Sequence, residues 1–136
     1  MYEDLVYLDE RIKVINERII RLAADDPVAS RLMKLRGVGT LTATALSVAL
    51  GDGSGFLRGR DFAASIGLVP RQHSTGGRDR LLGISKRGNA YLRTLLIHGA
   101  RTVLQHAGKH DDGLSRWVVN LAERRHKNIA AVALAN

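Results

Sequence analysis

Residues 67–93 read GLVPRQHSTGGRDRLLGISKRGNAYLR, and this stretch decides the fold because it interrupts a chain with helical patterns on both sides. Pro70 prevents a regular continuation of the preceding helix, and residues 71–85 show no helical period. The apolar residues within 81–84 predict a short strand or irregular packing. A β-hairpin that turns at Gly76-Gly77 is therefore one expected form of this loop. The next helix is expected to start at Gly88-Asn89, with Asn89 as its cap.

The same stretch concentrates positive charge, with six cations against one acid, Asp79. Arginine offers paired donors to phosphate, and glycine lets a backbone approach a bulky ligand. Ser74 and Thr75 lie among these residues, and a hydroxyl held there is a candidate nucleophile toward phosphorus. By itself, a hydroxyl pair beside glycines is more typical of a turn. The six cations are Arg71, Arg78, Arg80, Lys86, Arg87 and Arg93.

Composition and charge limit the classes of protein to consider. A chain of 136 residues fits one domain, with room for an appendage, and the absence of cysteine excludes disulfides and thiolate metal sites. Residues 1–30 carry seven acids against four bases, whereas residues 31–136 carry seventeen bases against six acids. The pattern indicates an acidic arm on a basic body that meets a polyanion.

No apolar run approaches the ~18 residues of a membrane span, so no membrane partner is expected. The histidines and acids show no spacing typical of a metal site.

The arm at residues 1–26 has a heptad pattern, with apolar residues at steps of three and four. Two interpretations remain open: a coiled coil with another chain or with a missing part of the same chain, which the strict period favours, and a helix that packs on its own domain. The helix is expected to end near Ala24, with Asp26 as the N-cap of the next helix and Pro27 in its first turn. The apolar positions are Leu5, Leu8, Ile12, Ile15, Ile19 and Leu22.

Residues 29–51 read ASRLMKLRGVGTLTATALSVALG and predict two helices joined at Gly37-Val38-Gly39. The second helix is expected to start at Thr40 and to stop at Gly51. This pattern is typical of a helix-hairpin-helix, in which Gly37 and Gly39 expose the first amides of the second helix to a DNA phosphate. A tight turn that needs glycine only for its geometry is the alternative. The expected fold is mainly α: a helical domain, residues 27–136, that contains a helix-hairpin-helix and an irregular or short β-hairpin loop and follows a long heptad helix.

Three further segments, in order and with matching spacing, resemble a family of bacterial transposases. GVGTLTA at 37–43, FAASIGLVPRQHSTGG at 62–77 and ISKRGNAYLRTLLIHGAR at 84–101 resemble the C-terminal half of the IS-one-ten and IS-eleven-eleven insertion-sequence transposases, relatives of the Piv invertases. KNIAAVALAN at 127–136 is similar to their terminal helix region. The resemblance covers roughly residues 30–136, and the heptads resemble the coiled coil that precedes this domain in the family.

The resemblance implies a two-part enzyme. An N-terminal RuvC-like domain would bind magnesium through acids, and the C-terminal domain would supply a serine that attacks DNA and forms a covalent 5′-phosphoserine link. It also implies DNA and a guide RNA as partners, a homo-oligomer (dimer or tetramer), and a location in the bacterial cytoplasm. Because the magnesium domain is missing from this sequence, we expect a fragment that binds nucleic acid but is inactive alone.

The resemblance places the nucleophile within residues 73–76. Counting back from Ser85-Lys86 favours Ser74, whereas counting forward from Gly67-Leu68 can favour Thr75. Ser74 is preferred because the family chemistry requires a serine, and Thr75 stays as the register alternative. The hairpin cations named above are the expected contacts to the nucleic-acid backbone, together with Gly37 and Gly39. Two rival hypotheses are a non-catalytic helix-hairpin-helix module and a module that serves only oligomerisation.

Overall fold

A computed structural model describes residues 2–75 and 78–136, with side chains outside residues 73–81. The described residues are mainly helical and include one two-stranded antiparallel sheet, which confirms the predicted fold class. The chain forms two compact units, Met1–Asp52 and Gly53–Asn136. The predicted domain boundary after residue 26 stays a prediction.

The first unit consists of helices α1 (Tyr2–Asp25), α2 (Pro27–Leu32) and α3 (Thr40–Leu50). The break between α1 and α2 is as predicted: the Asp26 side chain accepts a hydrogen bond from the Val28 amide at 2.8 Å, and proline occupies the first turn. An aspartate at this position satisfies an amide that no carbonyl within the helix can reach. The predicted start of α3 at Thr40 and its end before Gly51 are also confirmed.

Alanine makes the core of the first unit. Ala23 of α1, Ala29 of α2 and Ala43 of α3 are all fully buried and belong to one apolar cluster. Side chains this small let three helix backbones approach closely, and larger apolar groups close the cluster from outside. Those partly buried neighbours are Leu32, Met33 and Val38.

Most of α1 extends without cover from its own chain. Five residues of the heptad seam are 50–58% exposed, and Ile19 is half-buried. Ala23 is the buried residue of this helix, close to its C-terminal end. Because these seam residues are exposed, the seam is an apolar surface open to a partner. None of the described helices, α1 included, combines the length and apolarity that a membrane span needs. The five exposed seam residues are Leu5, Leu8, Ile12, Ile15 and Leu22.

The second unit contains a two-stranded hairpin and four α-helices among its described residues. The strands are β1 (Pro70–Thr75) and β2 (Arg78–Ile84), which pair antiparallel as predicted. The predicted turn at Gly76-Gly77 lies outside the described residues. The helices are α4 (Gly59–Ser65), α5 (Ala90–His106), α6 (Gly113–Arg124) and α7 (Lys127–Ala135), with a 3₁₀ turn at Ala107–Lys109 between α5 and α6.

One apolar core cluster of the second unit lies where α6, α7 and the 3₁₀ turn meet. Ala107, Val118 and Ala130 are buried together, and apolar residues of α5, α6 and α7 pack around them. The start of α5 is set by Asn89, whose side chain accepts hydrogen bonds from the Tyr91 and Leu92 amides at 3.0 and 3.1 Å. This cap was predicted, and it fixes α5 directly after the hairpin.

Candidate nucleic-acid interface

The hairpin places the candidate nucleophile on an extended strand. Ser74 lies near the end of β1 and pairs in register with Asp79 of β2. Thr75, the register alternative, pairs with Arg78, and His73 pairs with Arg80. The side chains of all these residues lie outside the described part of the chain. The assignment of Ser74 or Thr75, and the phosphate contacts expected of Arg78 and Arg80, therefore stay predictions.

Main-chain hydrogen bonds close the hairpin at the end opposite to Ser74. The Ser85 amide donates to the Val69 carbonyl at 2.8 Å, and the Lys86 amide donates to the Gly67 carbonyl at 3.1 Å. Lys86 has a φ of 57°, in the left-handed region that non-glycine residues rarely adopt. The hairpin thus continues beyond β1 and β2 into a closely packed segment at residues 66–69 and 85–88, which we call the hairpin base.

Two glycines make this base possible because backbone packs directly on backbone. At Gly67, with φ 72°, a Cβ atom would lie 2.4 Å from the Arg87 carbonyl oxygen. At Gly88, with φ 71°, it would lie 1.8 Å from the Ser65 carbonyl oxygen. Any side chain at either position would overlap the facing chain, so glycine is needed for both its shape and its conformation.

Arg93 joins the two sides of the base. Its Nη1 donates to the Ile66 carbonyl at 2.8 Å and to the Arg87 carbonyl at 2.9 Å. Sequence reasoning predicted a contact between Arg93 and the nucleic-acid backbone. The structure adds hydrogen bonds within the protein, made by a half-buried side chain on α5.

Three of the predicted phosphate contacts lie on the surface near this base. Arg71 follows Pro70, which pairs with Ile84, and Lys86 follows two residues after Ile84. Arg71 is near the start of β1 and Lys86 lies just beyond the end of β2, so both are at the same end of the hairpin. They are exposed, as is Arg87. Exposed cations at a fixed loop suit the binding of a polyanion.

Gly37 and Gly39 belong to the other unit. Gly37 has a φ of 83° in the turn between α2 and α3, and Gly39 is the N-cap of α3 with no side-chain hydrogen bond to the helix. The two helices and their glycine turn are present as predicted. The helix-hairpin-helix as a phosphate-binding motif stays a prediction.

The structure perturbs the ionisation of Asp26, the N-cap of α2. The hydrogen bond from the Ser47 hydroxyl lowers the pKa of Asp26, and the Val28 and Ala29 amides act in the same direction, while burial opposes them. This carboxylate thereby links the start of α2 to the middle of α3. Within the described residues, no group of three His, Asp or Glu side chains is close enough to hold a metal ion.

Sequence reasoning missed two cations that line adjoining cavities of the second unit, Arg101 and Lys127. Arg101 follows the apolar Ile97 by four residues on α5, a spacing that puts both on one helix face. Lys127 begins α7. The helical spacing was a usable signal for Arg101, but no local pattern relates α5 to α7.

Comparison with known proteins identifies the family. Residues 29–114 match the family described as Transposase IS116/IS110/IS902 family. The chain belongs to this family. The predicted resemblance is thereby confirmed.

Relatives of this transposase family match nearly the whole chain. It is 48% identical over 134 residues to a "Probable family 20 transposase" of Pseudomonas aeruginosa, with 98% of this chain and 40% of the relative covered. It is 46% identical over 136 residues to the "Transposase for insertion sequence element IS1328" of Yersinia enterocolitica, at 100% and 41% coverage. It is 48% identical over 136 residues to the "Transposase for insertion sequence element IS1111A" of Coxiella burnetii, at 100% and 37%. The chain thus spans about two fifths of these relatives.

Proposed function

We propose that this chain is the DNA-binding and nucleophile-bearing part of an insertion-sequence transposase that acts in the bacterial cytoplasm. The observation that carries the proposal is that the residues matched by the family include the hairpin with the candidate nucleophile. The family match spans the hairpin, and Ser74 lies on this hairpin together with three cations, Arg71, Arg78 and Arg80. A fourth cation, Lys86, follows β2 by two residues. A fixed loop that combines a hydroxyl with cations suits attack on a phosphodiester.

The proposed step is a transesterification. The Ser74 Oγ forms a bond to the phosphorus of a DNA phosphodiester, and the bond from phosphorus to the 3′ oxygen breaks. The products are a phosphoserine linked to the 5′ end and a free 3′ hydroxyl. The serine proton leaves to a base, and the 3′ oxygen takes up a proton. The phosphodiester energy is kept in the new bond, so that the reverse attack by another 3′ hydroxyl rejoins the strands.

Within this step, the chain's own residues bind and orient. Arg71, Lys86 and Arg87 would hold backbone phosphates on either side of the scissile one, and would offset the charge that develops on it. Magnesium, held by acids of a RuvC-like domain outside this chain, would lower the barrier for the serine. We therefore expect the chain alone to bind DNA, and a structured guide RNA, without recombining them.

The heptad seam of α1 supports a homo-oligomer. Its apolar residues are open in a single chain, and they repeat at the spacing with which two helices wrap around each other. A dimer or a tetramer would bring two hairpins into one complex, as strand exchange between two DNA partners requires.

The test uses a protein of the relatives' full length that contains this chain. It is incubated with DNA of the element's ends, denatured, and examined for a protein–DNA adduct by gel and by mass spectrometry of the modified peptide. Ser74→Ala should abolish the adduct, whereas Thr75→Ala should retain it. The reverse pattern would make Thr75 the nucleophile. An adduct that persists in both variants would overturn the proposal.

A second candidate function is a non-catalytic module that binds DNA through the turn before α3. The observation in its favour is that Gly39 caps α3 without a side chain, which leaves the first amides of this helix open to a phosphate. Under this alternative, strand exchange should survive Ser74→Ala, and DNA binding should fall when Gly39 is replaced by aspartate.

A further inference from the structure

Two cavities adjoin on the surface where α5 packs against α7. The larger is a groove of about 920 Å³, and the smaller is a cleft of about 250 Å³. Arg101 and Asn128 line both of them, so the cavities meet at these two side chains. Both lie within the unit Gly53–Asn136.

The groove has an aliphatic lining. Residues of β2, α5 and α7 form its walls, and two of them are open to solvent, with Ile129 54% and Leu82 37% exposed. A concave apolar surface of this kind favours a ligand with an apolar or flat body. The principal apolar residues are Leu68, Leu82, Ile84, Ile97, Ile129 and Val132.

The rim of the two cavities is cationic. Lys86 lines the groove, Lys127 lines the cleft, and Arg101 lines both. Among the described side chains these three cations have no acidic partner within ion-pair distance, whereas two other arginines of this unit each pair with an aspartate. No Asp or Glu is found among the described residues that line either cavity. Cations without counter-charges around one concavity attract an anion.

We infer that this surface binds one unstacked nucleotide of single-stranded DNA. Arg101 and Lys127 hold its phosphate in the cleft, and its deoxyribose and base lie on the aliphatic floor of the groove. Asn128, at the junction, offers an amide donor and acceptor to the base edge. The inference rests on the proposed function, because it assumes that the hairpin of the same unit handles DNA.

Chemistry favours single-stranded DNA over the other nucleic acids. A base inside a duplex is stacked and cannot reach an apolar floor, whereas an unstacked base can. RNA would bring a 2′ hydroxyl against aliphatic side chains, where a polar group without a partner is costly. Deoxyribose avoids that cost.

The position of the groove connects it to the nucleophile. Ile84 lines the groove and pairs with Pro70 at the start of β1. Ser74 follows four residues later on the same strand, or about 13 Å away at the rise of an extended chain. A nucleotide held here would fix a single DNA strand at the hairpin that carries Ser74.

The phosphate part is tested by fluorescence anisotropy with a labelled oligothymidylate and the 136-residue chain. Arg101→Ala should raise the Kd about fivefold and should reduce the slope of log K against log salt by about 0.7, as the loss of one single-strand phosphate contact requires. Arg124→Ala, an exposed arginine on α6 outside both cavities, is the matched control and should leave both values unchanged. Equal effects of the two variants would overturn the inference.

The contact between the nucleobase and the apolar floor of the groove is tested with a variant that alters no charge. Ile129→Gln should weaken oligothymidylate binding about fivefold and leave the binding of a DNA duplex unchanged. Leu114→Gln, at 43% exposure on α6, is the matched control and should leave both unchanged. Equal losses on duplex and single strand, or equal affinity for oligouridylate, would overturn the inference. So would a change in sedimentation mass without a change in DNA binding, because the groove would then be an interface between copies.

The two proposals fail separately. If Ser74→Ala abolishes the adduct while Arg101→Ala and Ile129→Gln leave oligothymidylate binding intact, the groove inference is wrong and the proposed function stands. If the groove variants act as expected but the adduct persists in Ser74→Ala and Thr75→Ala, the nucleophile is wrong and the groove still binds DNA.

Discussion

The Arg93 guanidinium donates a hydrogen bond to the main-chain carbonyl of Ile66 at 2.8 Å, across 27 residues of sequence. The same nitrogen reaches the Arg87 carbonyl at 2.9 Å. One side chain of α5 therefore ties the end of α4 to the segment that leaves β2. Since a charged donor binds a carbonyl more strongly than a neutral one, Arg93 holds the hairpin base in place.

Arg93→Lys should destabilise the chain although it keeps the positive charge. Lysine is shorter and lacks the planar fork, so the two carbonyls lose their shared donor, at a cost of about 1–2 kcal/mol. Thermal unfolding followed by circular dichroism measures the change. Arg60→Lys, at an exposed position on α4, serves as the control and should be neutral. If Arg93→Lys melts like the parent chain, the hairpin base does not depend on this guanidinium.

Gly88→Ala should be among the most damaging single substitutions. The new Cβ would lie 1.8 Å from the Ser65 carbonyl oxygen, and the φ of 71° is unfavourable for alanine. We expect a loss of about 3 kcal/mol or more in the free energy of unfolding, measured by urea denaturation. Gly55→Ala is the matched control, because nothing lies within 4 Å of its Cβ position. A small effect at Gly88 would mean that α4 and the loop after β2 are not packed as described.

Local sequence patterns predicted where the helices begin and end better than they predicted which distant residues contact each other. The cap at Asp26, the start of α3 at Thr40 and the cap at Asn89 each depend on neighbours within a few residues, and all three were predicted. The second strand was foreseen only as one of two forms, because its apolar run is short. Arg93 was predicted as a phosphate contact, because nothing local shows that Ile66 lies within its reach.

The same limit applies to the candidate site. The hydroxyl pair and the hairpin cations are adjacent in sequence, so a single stretch indicated them. Arg101 and Lys127 come together only when α5 packs on α7, and this packing depends on apolar contacts spread over both helices. Sequence spacing relates residues on one helix and leaves the pairing of two helices undetermined.

Stability should depend on Asp26 at acid pH. The hydrogen bond from Ser47 lowers the pKa of Asp26 below its ordinary 3.8, so the folded chain favours the carboxylate. The resulting stabilisation is complete above the unfolded pKa and is lost as the pH falls through the lowered folded pKa. Asp26→Asn should therefore reduce the difference in melting temperature between neutral and acid pH.

Ser47→Ala is the partner variant for this test. It removes the first cause of the shift, so the pKa of Asp26, followed by NMR, should move back up toward its ordinary value. Asp111→Asn provides a control, because Asp111 is an exposed acid in the other unit. A pH dependence that is the same in Asp26→Asn and in the parent chain would contradict the assigned link between α2 and α3.

The open seam of α1 should determine the oligomeric state. Ile12 is 55% exposed in the single chain and lies on the heptad seam, whereas Val14 is 64% exposed and lies off it. Ile12→Asp places a charge where two helices would meet, so sedimentation should show a shift from oligomer to monomer. Val14→Asp adds the same charge to the same helix and should leave the mass unchanged. If both variants dissociate the oligomer, α1 associates through another face. If neither does, the seam is covered by a segment outside this chain, and the hairpins of two copies must be brought together by some other surface.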